Sequence, residues 1–228
     1  MKRLVKVAHA PYVTVQPAQS RWVRGTGQKA AAIVVLALAA VSFLSAEVPD
    51  CAPGKLSDYE KLGATGCLIG DKEFSNFRYH QGTDGLPSDA ISVTPGTVPG
   101  GDDPGLLLEA KWVARSSRDS FVSYTVEALP NGKPIMGASL EMQFGEITGT
   151  GEAKVIAKLC PLDSSSGNCG AQELDLKVVL SHQGARKKSS DTGQFRNAQR
   201  GVRVMTPLTI ASGKDGTASL NGFMTVFR

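Results

Sequence analysis

The sequence has one long apolar stretch, and it is short for a membrane span. Residues 30–44 are fifteen in number, AAAIVVLALAAVSFL, whereas a spanning helix needs about 20. Acidic residues are absent before Glu47, while six Lys or Arg residues precede it. A positive segment followed by a short apolar run and small residues is the layout of an export signal. We predict that residues 1–46 are a signal peptide and that the protein is periplasmic, on the cell surface or extracellular; an uncleaved N-terminal membrane anchor is the alternative.

An excess of one charge sign is also missing once the predicted signal is set aside. The whole chain has a net charge of +4, but the 182 residues after position 46 have 19 basic and 21 acidic side chains. Binding to nucleic acid needs a basic surface against the phosphates, so we expect no nucleic-acid partner. The one basic run is interpreted as a solvated loop tip: Arg186, Lys187 and Lys188. A membrane contact is expected through an uncleaved N-terminal segment alone.

Cysteine is scarce, and all four cysteines follow the predicted signal. An even number in an exported chain favours disulfides, and four cysteines permit three pairings. We predict the two local pairs, Cys51 with Cys67 and Cys160 with Cys169, although the sequence alone leaves the other pairings open. Loops of this size stabilise a fold by about 3 kcal/mol each in the chain-entropy model. A metal site is disfavoured because the sequence has no C-x-x-C and no histidine at ligand spacing from a cysteine.

Recognisable catalytic motifs are missing too. The sequence contains no G-x-S-x-G, S-x-x-K, H-E-x-x-H or Walker A loop. His80 and His182 are distant in sequence, and we interpret each as a surface residue. Carboxylates are plentiful, so a hydrolase with a non-standard site stays open. Glu109 and Trp112 are expected on opposite faces of one strand, which argues against a paired site there. We assign no catalytic and no cofactor-binding residues.

Calcium is the ligand that the loops suggest most. Several aspartates lie in Gly- and Pro-rich segments: Asp84, Asp89, Asp102 and Asp103. Hard cations take loop oxygens of this kind. Because no D-x-D-x-D-G loop accompanies them, we interpret these aspartates as solvated turn residues and predict no cofactor and no metal site.

Alternation of apolar and polar residues predicts β-strands over most of the chain after residue 46. Leu174, Leu176 and Val178 alternate with charged residues, which is the period of a half-buried sheet. Strands are predicted at residues 73–79, 90–94, 106–114, 122–126, 135–144, 154–159, 173–180, 202–204 and 217–227. Turn signals separate several of these segments: Asn131-Gly132, Gly149-Thr150-Gly151, Gly184 and Asp215-Gly216.

About nine short strands in an exported chain predict an all-β fold, an antiparallel β-sandwich of jelly-roll or immunoglobulin-like type. Residues 47–228 are predicted to form this single domain. One short helix, Leu56–Leu62, is expected between the first two cysteines, with Ser57 as its cap and Gly63 as its stop. Residues 94–105 contain three Pro and four Gly, so we predict a long surface loop there.

Residues 51–79 follow the spaced pattern C-x2-G-x-L-x2-Y-x2-L-G-x2-G-C-x-I-G-x3-F-S-N-F-x-Y. This pattern resembles the opening of bacterial exported proteins of the PEP-CTERM-associated type. Those proteins continue with an I-x-V-x-P segment, a G-L strand containing Trp, a D-S-x3-Y-x-V strand and a later cysteine pair. The matching residues here are Ile91, Val93, Pro95, Gly105, Leu106, Trp112, Asp119, Ser120, Tyr124, Val126, Cys160 and Cys169.

The sequence departs from that family at Phe227 and Arg228, where no Pro-Glu-Pro, second apolar helix or basic tail is present, so the sorting role does not carry over. The resemblance implies an exported protein with envelope or exopolymer components as partners, and it supplies no activity. We expect a non-enzymatic structural or binding protein of the cell surface or matrix, of unknown ligand and oligomeric state. A carbohydrate-binding module with an exposed aromatic platform (Trp112, Tyr79, Phe77) is the first alternative, and a hydrolase is the second.

Overall fold

Most of the chain lies in two antiparallel sheets that pack face to face. The computed structural model describes residues 47–97, 102–114, 116–163, 168–170, 174–181 and 187–228. Within these ranges it contains thirteen strands, one α-helix and one 3-10 turn. They are β1 (Gly54–Lys55), α1 (Leu56–Leu62), β2 (Cys67–Ile69), β3 (Lys72–Gln81), the 3-10 turn (Ser88–Ala90), β4 (Ser92–Thr97), β5 (Pro104–Ala114), β6 (Ser117–Ala128), β7 (Ile135–Ile147), β8 (Glu152–Pro161), β9 (Leu174–Ser181), β10 (Lys187–Lys188), β11 (Ser190–Gln199), β12 (Gly201–Ala211) and β13 (Ala218–Phe227).

The order of the strands is that of a jelly roll. In the described part of the chain, one sheet has six strands in the order β1-β4-β5-β13-β7-β11, and the other has seven in the order β10-β9-β8-β12-β6-β3-β2. The series β5-β13-β7-β11 and β6-β12-β8-β9 are the two four-stranded halves of a jelly roll, and the remaining strands extend them. The predicted all-β antiparallel sandwich is therefore confirmed, and the strand order selects the jelly-roll type over the immunoglobulin-like type.

The core lies between the two sheets and is built by the alternation that the sequence shows. On β9, Leu174, Leu176 and Val178 are buried while Asp175 and Lys177 are exposed. Burying one large apolar side chain stabilises a fold by about 1.5–3 kcal/mol, and both inner faces contribute such residues. The largest fully buried side chains include Trp112, Tyr124, Phe74, Phe223 and Phe227.

The nine predicted strand segments all overlap observed strands, namely β3 to β9, β12 and β13. Four further strands were not predicted. β1, β2 and β10 are two or three residues long, too short to show a period. β11 is long but polar, and it lies at the edge of the six-stranded sheet. Because an edge strand meets water along one side, β11 folds with few apolar residues, and Phe195 is its one buried side chain.

The predicted surface loop at residues 94–105 is wrong at both of its ends. β4 and β5 pair across these residues, with Pro95 opposite Leu106 and Thr97 opposite Pro104. Pro95 is tolerated because β1 pairs with β4 through Ser92 and Val93, which leaves the far side of Pro95 at a sheet edge where no donor is needed. Pro104 is the first residue of its strand, another position open to proline.

The helix α1 has the predicted bounds, but its N-terminus is not capped by the predicted residue. Gly63 ends it with a φ of 57°, as expected for a glycine stop. Ser57 is not its cap, because the cap position is Lys55 and no side chain caps the helix there. The backbone N–H of Leu56 instead donates to the carbonyl of Ile91 at 2.9 Å, so a backbone bond replaces the serine.

Both predicted disulfides are confirmed. Cys51 is bonded to Cys67 and Cys160 to Cys169, with Cα–Cα distances of 4.8 and 5.6 Å. The first joins the segment before β1 to β2 across α1. The second closes the turn after β8, where the N–H of Gly170 donates to the carbonyl of Pro161 at 2.9 Å.

Among the described residues, no helix has the length and apolar character needed to cross a membrane. The predicted signal peptide, residues 1–46, lies outside the described residues.

Candidate functional site

The aromatic residues of the 51–79 pattern form a packed cluster that attaches α1 to the sandwich. The ring of Tyr59 on α1 meets Phe77 edge-on at 5.0 Å, and Phe77 stacks on Tyr124 of β6 at 5.3 Å. The hydroxyl of Tyr59 donates to the carbonyl of Ala52 at 2.8 Å. Burial raises the pKa of Tyr59 to about 12, so this hydroxyl stays protonated at neutral pH. The cluster maintains the fold.

The glycines and the asparagine of the same pattern have backbone roles. A Cβ at Gly66 would lie 2.5 Å from the carbonyl oxygen of Phe74, and the φ of Gly66 is 64°. Asn76 also has a positive φ, 55°, and its N–H donates to the carbonyl of Gly63 at 2.7 Å. Asparagine tolerates this region better than most residues. The pattern that carries the family resemblance therefore encodes a structural unit.

Tyr79, the last residue of the pattern, attaches the β3–β4 connection to β6. Its hydroxyl donates to the carbonyl of Leu86 at 2.6 Å and lies 3.0 Å from the hydroxyl of Ser120. Its backbone N–H donates to the carboxylate of Glu60 at 2.9 Å. Burial is the main cause that raises the pKa of Tyr79. Tyr79 is thus committed to internal hydrogen bonds.

The expected aromatic platform is not formed by the residues considered for it. Trp112 is 2% exposed and Phe77 is 4% exposed, while Tyr79 is half-buried. Among the side chains that the structure describes, no aromatic is exposed. Glu109 is exposed while Trp112 is buried, so the two side chains do not form a paired site.

The remaining sequence candidates are dispersed. His80 is exposed at the end of β3, whereas His182 and Arg186 lie outside the described residues. Lys188 pairs with Asp191 at 2.6 Å, and Asp103 lies 3.5 Å from the guanidinium of Arg228. Asp84, Asp89 and Asp102 are exposed. The described residues contain no group of three His, Cys, Asp or Glu side chains able to hold a metal ion.

Two adjoining recesses form a polar groove where β5 and β13 lie side by side. The first, about 530 Å³, lies where β5 passes into β6 and is lined by Asp84, Lys111, Val113, Ser116 and Arg118. The second, about 410 Å³, is lined by Lys111, Val113, Gly145, Glu146, Thr217, Ser219 and Asn221. Lys111 and Val113 line both recesses, so the two adjoin, and together they are called the groove below.

A β-bulge sets the direction of two groove side chains. β5 and β13 pair at Trp112 with Leu220 and at Glu109 with Gly222. Two residues of β5, Ala110 and Lys111, therefore lie opposite the single residue Asn221. An extra residue of this kind bends the strand and redirects its neighbours. Lys111 and Asn221 are both exposed beside the buried Trp112.

The floor of the second recess is held by a row across three strands. Ser219 of β13 lies opposite Val113 of β5 on one side and Glu146 of β7 on the other. The hydroxyl of Ser219 accepts a hydrogen bond from the N–H of Glu146 at 3.2 Å and donates to its carbonyl at 3.3 Å. These bonds use only the backbone of Glu146, so its carboxylate is available as an acceptor in the recess.

The charged side chains of the groove remain available to a ligand. In the described part of the chain, the side chains of Lys111, Arg118 and Glu146 make no ion pair. The ammonium and guanidinium groups are donors, the carboxylates of Asp84 and Glu146 are acceptors, and the Asn221 amide is both. Such a surface suits a ligand with many hydroxyl groups, each of which can donate and accept.

Of the groove residues, sequence reasoning singled out Asp84 alone, as a calcium candidate that it then interpreted as a solvated turn residue. Lys111 and Asn221 belong to no motif, and each is an ordinary polar residue of an alternating strand. Their proximity comes from the pairing of β5 with β13, two segments distant in sequence. The strand pattern predicts both strands but not which of them are neighbours.

No protein-family model and no curated protein matches the chain. Among solved structures, the chain is similar to that of TmCBM61 in complex with β-1,4-galactotriose. The identity is 13% and the TM-score 0.30, with 67% of this chain and 88% of that chain covered.

Proposed function

We propose that the protein is an exported, non-enzymatic binding component of the cell surface or surrounding matrix, and that the groove is its binding site. The partners proposed are envelope or exopolymer components, in keeping with the resemblance to PEP-CTERM-associated proteins. The observation that carries the proposal is the groove, in which free donors and acceptors stand on a bulged, hydrogen-bonded sheet. Sites on strands hold their side chains more firmly than sites on loops.

The two disulfides support the proposed compartment. Disulfides persist in oxidising surroundings such as the periplasm and the cell exterior and are rare in the reducing cytosol. Cys51 with Cys67 and Cys160 with Cys169 account for all four cysteines of the chain. A protein that works outside the cytosol gains from such crosslinks, because they limit the unfolded state where refolding assistance is scarce.

Fractionation of the producing cell tests the proposal. The full chain is followed by mass spectrometry, which locates the mature terminus and counts free thiols. The proposal predicts a shortened chain without free thiols in the envelope or matrix fraction. Full-length chain with four free thiols in the cytosol would overturn the proposed export.

A groove variant tests the proposed site in the same cells. Lys111→Ala with Asn221→Ala removes two groups from the groove, and Lys133→Ala removes an exposed lysine in the β6–β7 connection. We expect the groove variant to be exported and folded but released into the medium, and the control to be retained. Equal retention of both variants would show that the groove is not the binding site.

A carbohydrate-binding module is the second candidate, and the groove favours it specifically. Sugar hydroxyls pair with the kinds of side chain found there, an ammonium, an amide and a carboxylate. An array of glycans probed with the protein recovered from the cell tests this candidate. Binding that Lys111→Ala abolishes supports it, and an array without any bound glycan contradicts it.

A further inference from the structure

The geometry points to a carboxylate-bearing sugar unit as the group bound in the first recess of the groove, with neutral sugar hydroxyls bound in the second. This inference rests on the proposed function and names the ligand class of the same site. It divides the groove into two parts whose lining residues differ in chemistry.

The first recess contains two cationic side chains without ion-pair partners among the described residues. Lys111 and Arg118 both line it, and Asp84 is its one acidic residue among the described lining. Neither cation forms an ion pair within the described residues. A ligand carboxylate in this recess would have both unpaired cations, Lys111 and Arg118, as partners.

The kinds of donor in the recess fit a carboxylate. The guanidinium of Arg118 presents paired N–H groups in a plane, the arrangement that matches the two oxygens of a carboxylate. Lys111 supplies a point charge, and the hydroxyl of Ser116 lines the same recess. Arg118 stands near the start of β6, opposite Ile210 of β12, so a paired strand carries its backbone.

The second recess is built for hydroxyl groups. Glu146, Thr217, Ser219 and Asn221 line it, and they combine acceptors with donors. The hydroxyls of Thr217 and Thr148 lie 2.9 Å apart, which fixes the Thr217 side chain. Glu146 is the acidic residue of its described lining, and Lys111 is shared with the first recess. Val113, half-buried at the junction, offers an apolar contact to the face of a sugar ring.

The experiment uses matched pairs of trisaccharides and the protein recovered from the producing cell. The acidic members are tri-galacturonate, tri-glucuronate and tri-mannuronate, and each neutral partner is the same trisaccharide after reduction of its carboxyl groups. Dissociation constants are measured by calorimetry at low and at high salt. We expect at least one acidic member to bind about tenfold more tightly than its neutral partner, with the difference shrinking in high salt.

Two variants test whether the first recess causes the preference for the acidic trisaccharide. Arg118→Gln is expected to lower the affinity for the acidic member about tenfold, to that of its neutral partner, so that the preference is lost. Lys133→Gln, the matched control away from the groove, is expected to leave both affinities unchanged. Thermal unfolding of each variant confirms that it is folded. Should Arg118→Gln fail to fold, Lys111→Gln replaces it, with the loss of acidic preference as the same readout.

The outcomes separate this inference from the proposed function. Retention in the envelope or matrix with no acidic preference in any pair overturns the inference and leaves the proposed function standing. An acidic preference that survives both Arg118→Gln and Lys111→Gln also overturns it, because the carboxylate then binds elsewhere. Loss of retention for the wild-type chain overturns the proposed function itself.

Discussion

Some polar side chains buried in the core lower the stability of the fold. Thr206 on β12 is 1% exposed, and its hydroxyl has no hydrogen-bond partner among the described residues. Its neighbours on the same inner face, Val204 and Leu208, are apolar and buried. A buried polar group left without a partner costs about 1–3 kcal/mol. The hydroxyl of Thr206 therefore destabilises the sandwich.

Thr206→Val is expected to stabilise the protein by about 1 kcal/mol, because a methyl replaces the unpaired hydroxyl. Thermal unfolding should show a rise in Tm of about 2–4 °C for a domain of this size. Thr209→Val is the control, since Thr209 is on the same strand but half-exposed, and it should change Tm little. Equal shifts for both variants, or a lower Tm for Thr206→Val, would contradict the expectation.

Two glutamates oppose each other on the outer face of the seven-stranded sheet. Glu73 of β3 lies directly opposite Glu127 of β6. Partial burial, and then the charge of Glu127, raises the pKa of Glu73 above its ordinary value of 4.5. An acid with a raised pKa binds its proton more tightly in the folded state. The pair therefore costs stability as the pH rises from that ordinary value through the raised pKa, and costs nothing at lower pH.

Glu127→Gln is expected to raise the stability by about 0.5 kcal/mol at neutral pH, since it removes like charges from facing positions on partly exposed strands. The gain over the wild type should vanish at low pH and grow as the pH passes upward through the titration of Glu73. Chemical unfolding at several pH values measures it. Glu109→Gln, an exposed carboxyl on the other sheet, serves as the control; a gain independent of pH would refute the repulsion.

At the scale of elements, α1, β2 and β3 form one unit, called the clasp below. Three structural features stabilise it. The disulfide between Cys51 and Cys67 closes it covalently. The edge-on contact of Tyr59 with Phe77 packs it. The left-handed backbone at Gly66 turns the chain from the helix into β2. All three contacts lie within residues 51–77, so the clasp is closed by residues near one another in sequence.

Gly66→Ala is expected to open the clasp, because the new Cβ would meet the Phe74 carbonyl and the backbone would be strained. Two matched variants separate the causes. Gly70→Ala has a positive φ but free space around its Cβ, and Gly96→Ala has neither problem. Stability should fall most for Gly66→Ala, by about 1–2 kcal/mol for Gly70→Ala, and hardly for Gly96→Ala. Any other order, measured by chemical unfolding, argues against the stated causes.

At the scale of the whole molecule, stability depends on the two inner faces staying apolar. Leu176→Asp places a charge where the side chain is 1% exposed, and burying an unpaired charge costs far more than the fold's net stability allows. We expect no folded protein in the exported fraction. Lys154→Asp, on the half-exposed outer face of β8, is expected to fold. Normal export of folded Leu176→Asp would show that the register of β9 is wrong.

Much of the fold was predictable because the alternation of residues such as Leu174, Asp175 and Leu176 reports directly which face is buried. Both disulfides are the predicted local pairs, although the sequence alone left the other pairings open. The strand β11 was not predictable, because an edge strand does not need apolar residues at every second position. The loop predicted around Pro95 was wrong because the sequence does not show that the edge of β4 which Pro95 faces is unpaired.

The candidate site was not predictable for a different reason. Lys111 and Asn221 become neighbours through strand pairing and through a bulge of one residue. Neither the pairing nor the extra residue leaves a local pattern in the sequence. The residues that did stand out, Tyr59 and Phe77 among them, are conspicuous because the fold requires them. Sequence patterns in this chain report packing more readily than binding.

The central place of β13 sets an order of assembly. β13 lies between β5 and β7, although it comes after both in the chain, so these two strands share no partner until residues 218–227 are available. In the export that we propose, a chain delivered from its N-terminus would cross before β13 is available, so the six-stranded sheet would close only after the crossing.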